Sequence, residues 1–193
     1  MQKRVEILSK KLVFDKFIFR IEEVHLRHER FNGTMSNELV RLNLNRGDSV
    51  AAIIHDRKTD TVAMVEQFRF SAYEKGLGWL VEAPAGIIEA GEDPQKAMQR
   101  ELQEELGYEV NALSHISTFF VSPGGTSERI HLYYASVNPT NKTARGGGLE
   151  SEGEDIRAVL LKVDDALQKI ATGEIVDAKT IIGLQWLQLH RSA

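Results

Sequence analysis

Three glutamates, Glu101, Glu104 and Glu105, stand at i, i+3 and i+4, with Arg100 directly before them. On a helix this spacing gathers the carboxylates within an arc of about 100°. That arc borders an apolar stripe of Met98, Leu102 and Leu106, which fall within about 80° of one another. Like charges so placed repel. At ~6 Å and an effective dielectric of ~20, each pair costs roughly 3 kcal/mol. Arg100 reaches Glu104 one turn on, but one guanidinium does not neutralise three carboxylates. A hard divalent cation would, and Mg²⁺ favours carboxylate oxygens combined with those of a bound phosphate. The bland alternative is a solvated acidic face. A second acidic run, Glu150-Ser151-Glu152-Gly153-Glu154-Asp155, follows Gly146-Gly147-Gly148. The glycines predict a loop mobile enough to close over a substrate. A carboxylate there can take a proton from water while cations stabilise charge on an attacked phosphoryl group.

Other chemistries drop out. With no cysteine, there is no disulfide framework, thiolate-ligated metal or thiol nucleophile. The six histidines show no HExxH or paired spacing. A length of 193 residues with 42% apolar content suits one domain, or one domain with a small appendage. A balance of 24 Lys+Arg against 28 Asp+Glu argues against a nucleic-acid-coating protein. No apolar run reaches the ~18 residues of a membrane span, and no secretory apolar stretch opens the chain. The expectation is a soluble, cytoplasmic protein with no nucleic-acid or membrane partner.

The elements that must position these acids read as α+β. Residues 5 to 26 are strand-like, with a turn at Ser9-Lys10-Lys11, and Asn32-Gly33 marks a further turn. Strands follow at Ser49 to His55, Thr61 to Phe68 and Gly78 to Pro84. A helix spans 93 to 107, with Asp93 as its cap, Pro94 in its first turn and Gly107 just past its end. Strands resume around Val110, at Ile116 to Val121, Ile130 to Ser136 and Ile156 to Val163. Helices at Asp164 to Thr172 and Ala178 to Arg191 close the chain. The N-terminal strands have little to pack against, which predicts a partner subunit. The division expected is 1–45, a β-strand region for dimerisation and substrate contacts, and 46–193, the catalytic domain.

Gly86, five residues, Glu92, seven residues, then Arg100-Glu101-Leu102-x-Glu104-Glu105-x-Gly107-Tyr108 resembles the signature of the Nudix hydrolases. Every fixed position is met. The resemblance implies an αβα sandwich that binds Mg²⁺ or Mn²⁺ and cleaves a nucleoside diphosphate linked to another group. It makes Glu101 and Glu105 metal ligands, with Glu104 assisting, while Arg100 and Glu92 hold the helix and its carboxylates in place.

Ala83-Pro84-Ala85-Gly86 before this box, and Ser122-Pro123-Gly124-Gly125-Thr126-Ser127-Glu128-Arg129 after it, resemble the ADP-ribose pyrophosphatase branch, whose marker proline matches Pro123. Arg27-His28, Glu66-Gln67-Phe68-Arg69 and Glu152-Gly153-Glu154-Asp155-Ile156 extend the likeness. It implies Glu152 as general base, Glu154 and the Ala85 carbonyl as further metal ligands, and two or three ions per site. It places Arg69, Ile87, Ser122, Pro123, Gly124 and Glu128 at the substrate. Arg41 and Arg46 match contacts across a dimer interface, and Ile18 and Phe19 match residues flanking adenine from the partner subunit. A domain-swapped homodimer with shared active sites follows, converting ADP-ribose to AMP and ribose 5-phosphate. Ser122-Pro123-Gly124-Gly125 and Gly173-Glu174-Ile175 also resemble the GDP-mannose hydrolases, so a GDP-mannose or broad nucleotide-sugar hydrolase is the alternative. A non-catalytic nucleotide-sugar sensor is the reading of another class.

Overall fold

Alternation along three adjacent strands sets the architecture. Strands β4 (Ser49–Asp56), β5 (Thr61–Phe68) and β9 (Arg129–Ser136) are apolar on both faces, as strands covered on both sides must be. Val50, Ala52, Ile54, Ala63, Val65, Tyr133 and Ala135 face one way, onto Ala97, Met98, Leu102 and Leu106 of the acidic helix. Ile53, Val62, Met64 and Tyr134 face the other, onto helices α3 (Val163–Thr172) and α4 (Ala178–His190) through Val163, Ala166, Leu184 and Leu187. The result is a helix–sheet–helix sandwich. The structure, a computed structural model, describes residues 3–191 apart from the side chains of Pro139 and Glu152.

The sheet runs β10-β5-β4-β9-β8, with β8 at Ser114–Phe120 and β10 at Arg157–Lys162. Strand β6 (Trp79–Glu82) pairs with β5, and β7 (Ala85–Ile87) with β4. Strand β4 is parallel to β9 and antiparallel to β5. A four-residue helix, α1 (Phe70–Tyr73), connects β5 to β6. A separate antiparallel sheet holds β1 (Val5–Lys16), β2 (Phe19–His28) and β3 (Leu39–Asn45) in that order.

The chain divides into two compact units. The smaller combines 1–48 with 120–129, and the larger combines 49–119 with 130–193. Segment 120–129 thus belongs with the N-terminal sheet despite lying far along the sequence. Its Leu44–Thr126 bridge and the Leu44 N–H bond to the Gly125 carbonyl (2.9 Å) show how.

Three local readings need correction. Ser9-Lys10-Lys11 is no turn: β1 continues through it with register shifts on either side, and the chain reverses at Phe17, whose φ is 55°. Residue Val110 is not in a strand. Its side chain is buried beneath the acidic helix, and its carbonyl accepts from Gln99 Nε2 at 2.9 Å. Strand β3 has no expected counterpart, although Leu39–Asn45 alternates apolar and polar residues; its Val40 and Leu42 are exposed rather than packed in a core.

Candidate active site

The acidic helix begins as expected. Asp93 accepts from the N–H groups of Gln95 and Lys96, and Pro94 opens helix α2 (Pro94–Glu101). It then continues as one π-helical turn, Leu102–Leu106, and stops at Gly107 with φ 72°. π turns concentrate at functional sites, because the extra residue re-aims side chains. Here the turn carries Glu104 and Glu105. Glu105 is 2% exposed and Glu101 9%, far more enclosed than a solvated acidic face.

Strand β7 lies against this helix. A Cβ on Gly86 would sit 1.9 Å from the Glu101 carboxylate, so only glycine lets that carboxylate rest on the backbone. The Ala85 N–H donates to Glu105 Oε2 at 3.0 Å. Arg100 ties the rest together. Its Nε and Nη2 donate to Glu92 (3.2 and 3.3 Å), its Nη1 to Glu101 Oε1 (2.7 Å) and Glu104 Oε2 (3.0 Å), and its Nη2 to the Ile87 carbonyl (3.1 Å). The arginine serves three acids and leaves out Glu105.

The charge balance follows. Burial pushes the Glu101 carboxyl up to about 7 against the pull of Arg100, with Glu104 and Glu154 adding repulsion. Burial pushes Glu105 up to about 8, and the charges of Glu101 and Glu154 add to it. The cluster is short of positive charge at its buried end.

A second ionic group lies along β6 and the start of α4. Glu82, buried, accepts from Arg69 Nε (2.8 Å) and Nη2 (3.3 Å) and from Lys179 Nζ (2.5 Å). Lys179 also pairs with Asp177 at 3.0 Å. Burial alone would raise the Glu82 carboxyl, yet Lys179 and Arg69 together hold it below the ordinary value. The Thr180 hydroxyl meets the N–H of Ala83 at 2.7 Å, fixing the strand just before Ala85. Arg69 interacts electrostatically with Glu105 as well. Sequence reasoning found Arg69 but missed Glu82, Lys179 and Thr180. The available signal was a lone acid inside Leu80-Val81-Glu82-Ala83.

The glycines at 146–148 behave differently from the expectation of a mobile lead-in. Gly147 N–H and Gly148 N–H donate to the carbonyls of Glu105 (2.9 Å) and Glu104 (3.0 Å). A Cβ on Gly146 would come within 2.6 Å of the Glu105 carbonyl oxygen. The glycines allow backbone to lie directly on the end of the acidic helix, so they fasten the segment there. Beyond them the Glu154 carboxylate accepts from the Leu149 N–H at 3.0 Å. Glu152 stands in a short turn, Glu150–Glu152, and its side chain lies outside the described residues.

A NUDIX-domain model matches residues 45–182. The chain belongs to the NUDIX family. It is 39% identical over 191 residues, 98% of this chain and 90% of the relative, to a protein of Escherichia coli (strain K12) named ADP-ribose pyrophosphatase. It is 32% identical over 192 residues, 98% of both, to a protein of Cronobacter sakazakii (strain ATCC BAA-894) named GDP-mannose pyrophosphatase. A solved structure described as an ADP compounds hydrolase shares the fold, with a TM-score of 0.73 at 20% identity, covering 96% of this chain and 95% of that one.

Within this NUDIX chain, the larger unit brings together Ala85, Ile87, Arg100, Glu101, Glu104 and Glu105, with Arg69 and Glu154 coupled to them by charge. The larger unit also contains Glu152, and the smaller unit holds Ile18, Phe19, Arg41, Arg46, Ser122, Pro123, Gly124 and Glu128. Arg46 Nη1 lies 3.8 Å from Glu128 Oε2, and its buried Nε has no hydrogen-bond partner among the described residues. The pairing of Arg20 with Asn45 sets Ile18 and Phe19, both substantially exposed, beside the β3 end that leads to Arg46. Arg41 pairs with Val24 further along, and its Nη1 donates to the Val40 carbonyl at 2.8 Å. Ser122, Pro123 and Gly124 form a turn in which the Ser122 carbonyl accepts from Gly125 and Thr126.

Among the described residues, no three acidic or histidine side chains already close around one point as a metal cage. The donor chemistry nevertheless fits a hard divalent cation. Of the two buried carboxylates, Glu101 shares Arg100 with Glu92 and Glu104, while Glu105 has no hydrogen-bonded cation among the described residues; a third carboxylate acts on both, and all the donors are oxygen.

Proposed function

We propose that this chain hydrolyses the diphosphate bridge of nucleoside diphosphate sugars, with ADP-ribose giving AMP and ribose 5-phosphate. The observation that carries the reading is the buried pair Glu101 and Glu105, held on β7 by Gly86 and Ala85 and short of positive charge. The relative named ADP-ribose pyrophosphatase, matched over nearly the whole chain, supports ADP-ribose as the substrate.

Glu101, Glu105, Glu154 and the Ala85 carbonyl would hold Mg²⁺ or Mn²⁺, two or three ions in all. Bound there, such cations neutralise the diphosphate and draw charge from the attacked phosphorus. The chain's own residues do the rest. Arg69, with two nitrogens fixed by Glu82, presents Nη1, which has no hydrogen bond among the described residues, to a phosphate oxygen. Arg100 keeps Glu101 and Glu104 oriented. Glu152 takes the proton from the attacking water. Water adds to one phosphorus in line, the bridging P–O bond breaks, and the other phosphate leaves with its sugar or nucleoside.

The same proposal includes a homodimer in which Ile18, Phe19, Arg41 and Arg46 reach the partner's substrate, working in the cytoplasm. Exposed Ile7, Leu12, Phe14, Phe17 and Leu42 on the small sheet support it, since single chains rarely expose that much apolar surface together. A monomeric mass by light scattering at micromolar concentration would refute the dimer. No helix among the described residues is long and apolar enough to cross a membrane.

The test is incubation of purified protein with Mg²⁺ and either ADP-ribose or GDP-mannose, followed by chromatography of the nucleotides. AMP and ribose 5-phosphate are expected, and no cleavage of either substrate would overturn the proposal. The relative named GDP-mannose pyrophosphatase makes a preference for GDP-mannose the second reading, decided by the kcat/KM ratio. Retention of all the box acids speaks against a non-catalytic sensor. Glu152→Gln should lower kcat while leaving KM for substrate nearly unchanged; unaltered kcat would remove Glu152 from the base role.

A further inference from the structure

A cavity of about 380 Å³ opens in the larger unit beside Tyr108, the residue that follows the glycine stop of the acidic helix. Ile54, Ala63 and Val137, all buried, form an apolar floor, and Leu160 adds an apolar lip. The volume lies within the range of small-molecule sites. Thr59, Thr61 and Asn138 also line this slot, and three further polar groups there are charged or free to pair. The Asp56 carboxylate is oriented by the N–H groups of Lys58 (2.9 Å) and Thr59 (3.4 Å) and by the Thr59 hydroxyl (2.8 Å), which hold it ionised. The Lys142 ammonium lies 5.9 Å from the centre of the Tyr108 ring, with no acidic partner among the described residues. The Tyr108 hydroxyl makes no hydrogen bond among the described residues, and burial together with the charge of Asp56 keeps it protonated.

One acceptor and two donors around an apolar slot, their charges cancelling, complement a flat neutral ring bearing both N–H and C=O or ring-nitrogen edges. An alkyl chain would leave all three polar groups unmatched, and a charged ligand would meet either Asp56 or Lys142 with the wrong sign. We propose that this cavity is an effector site for a small planar heterocycle of the nucleobase class.

The route to the acids is covalent and short. Lys142 bridges Tyr108 as an isolated antiparallel pair, and the next residues, Thr143 and Ala144, donate to the Gly107 carbonyl at 2.9 and 3.2 Å. The same segment then binds the carbonyls of Glu105 and Glu104 through Gly147 and Gly148, and runs on to Glu154. A ring inserted between Asp56 and Lys142 therefore acts on the backbone that fastens the end of the acidic helix. It can shift the arrangements of that segment by no more than its differential affinity for them. That catalytic consequence rests on the hydrolase reading; the binding does not.

Guanosine is the probe, since it carries N–H donors for Asp56 and a carbonyl for Lys142, and it has no phosphate to be cleaved. Titrated into methyl-labelled protein, it should shift the methyl resonances of Ile54, Val137 and Leu160 and saturate at low millimolar concentration. Lys142→Met and Asp56→Asn should each weaken that binding about fivefold or more. Saturating guanosine should change kcat on ADP-ribose at least about twofold in the wild type and leave Lys142→Met unaffected. Absence of shifts, or shifts confined to methyls outside the cavity, would overturn the site. Saturation with unchanged turnover of an active enzyme would overturn its effector role. An enzyme that cleaves no nucleotide sugar but shows the methyl shifts would keep the site and refute the hydrolase reading alone.

Discussion

Stripping divalent cations from the protein with EDTA leaves Glu101 and Glu105 to face one another in a buried setting, and the cost depends on pH. In the unfolded chain both carboxyls lose their protons near 4.5, whereas burial delays this in the fold to about 7 for Glu101 and about 8 for Glu105. Between those values the unfolded state binds fewer protons than the folded one, so stability falls as pH rises. Below about 4.5 both states are protonated and the pair exerts no pH dependence; above about 8 both are ionised and the full penalty applies. From pH 6 to pH 8.5, Glu105 contributes about two pH units of this slope and Glu101 about one. At ~1.4 kcal/mol per unit the metal-free fold should lose roughly 4 kcal/mol. For a domain of this size that lowers Tm by about 10 °C.

The assay is thermal unfolding in EDTA at a series of pH values, repeated with Mg²⁺ and with Glu105→Gln. The glutamine can keep the Ala85 N–H bond through its amide oxygen while removing the ionisation. It should flatten most of the slope and make the metal-free variant roughly 5 kcal/mol more stable than the wild type at pH 8.5. Mg²⁺ should raise the wild-type Tm more at pH 8.5 than at pH 6, because binding must displace the extra protons at the lower pH. It should do little for the variant, which should also be inactive. A metal-free Tm that is flat or rises over this range, or a variant with the wild-type slope, would refute the charge-deficit argument.

Three further substitutions probe the supports. Gly86→Ala places a methyl on the Glu101 carboxylate and should weaken Mg²⁺ binding at least about tenfold by calorimetry, with a Tm loss of only a few degrees. Arg100→Ala strands Glu92, Glu101 and Glu104 and should cost about 3 kcal/mol in urea unfolding, less at acidic pH where the acids are neutral. Lys179→Met leaves Glu82 buried with Arg69 alone and should cost about 3 kcal/mol and raise KM more than it lowers kcat, since Glu82 then draws Arg69 more strongly onto itself and away from the substrate.

The acidic helix was legible because its signals are local. The Asp93 cap, the Pro94 start, the Gly107 stop and the apolar stripe all lie within fifteen residues, and the fold keeps each. The one departure, the π turn at Leu102–Leu106, arises where backbone of the 144–148 segment presses on the helix end, a contact no local pattern encodes. The same reason hides Lys179, whose bond to Glu82 spans 97 positions. The exposed N-terminal sheet fails differently. With apolar side chains on a surface that this chain leaves open, the alternation in β3 does not mark a face buried within the chain, so β3 goes unread and a turn is read inside β1.

The acids and their supports divide the labour by sequence distance. Apart from Glu154, the residues proposed to meet the cation sit within one helix and one strand, where spacing alone ties them together. Their electrostatic setting comes from far along the chain. Arg69 is fixed by Glu82, Glu82 is balanced by Lys179, and Lys179 is tied to Asp177 at the start of α4. Alternating charges of this kind cancel one another and leave the deficit at Glu105, where a cation and a diphosphate can meet it. Neutralising Glu105 locally, by drawing Arg69 or Lys179 onto it, would make a more stable protein and a poorer site. The ion pairs at Glu82 thus keep both cations engaged elsewhere, and the buried end of the acidic helix remains open to a divalent ion.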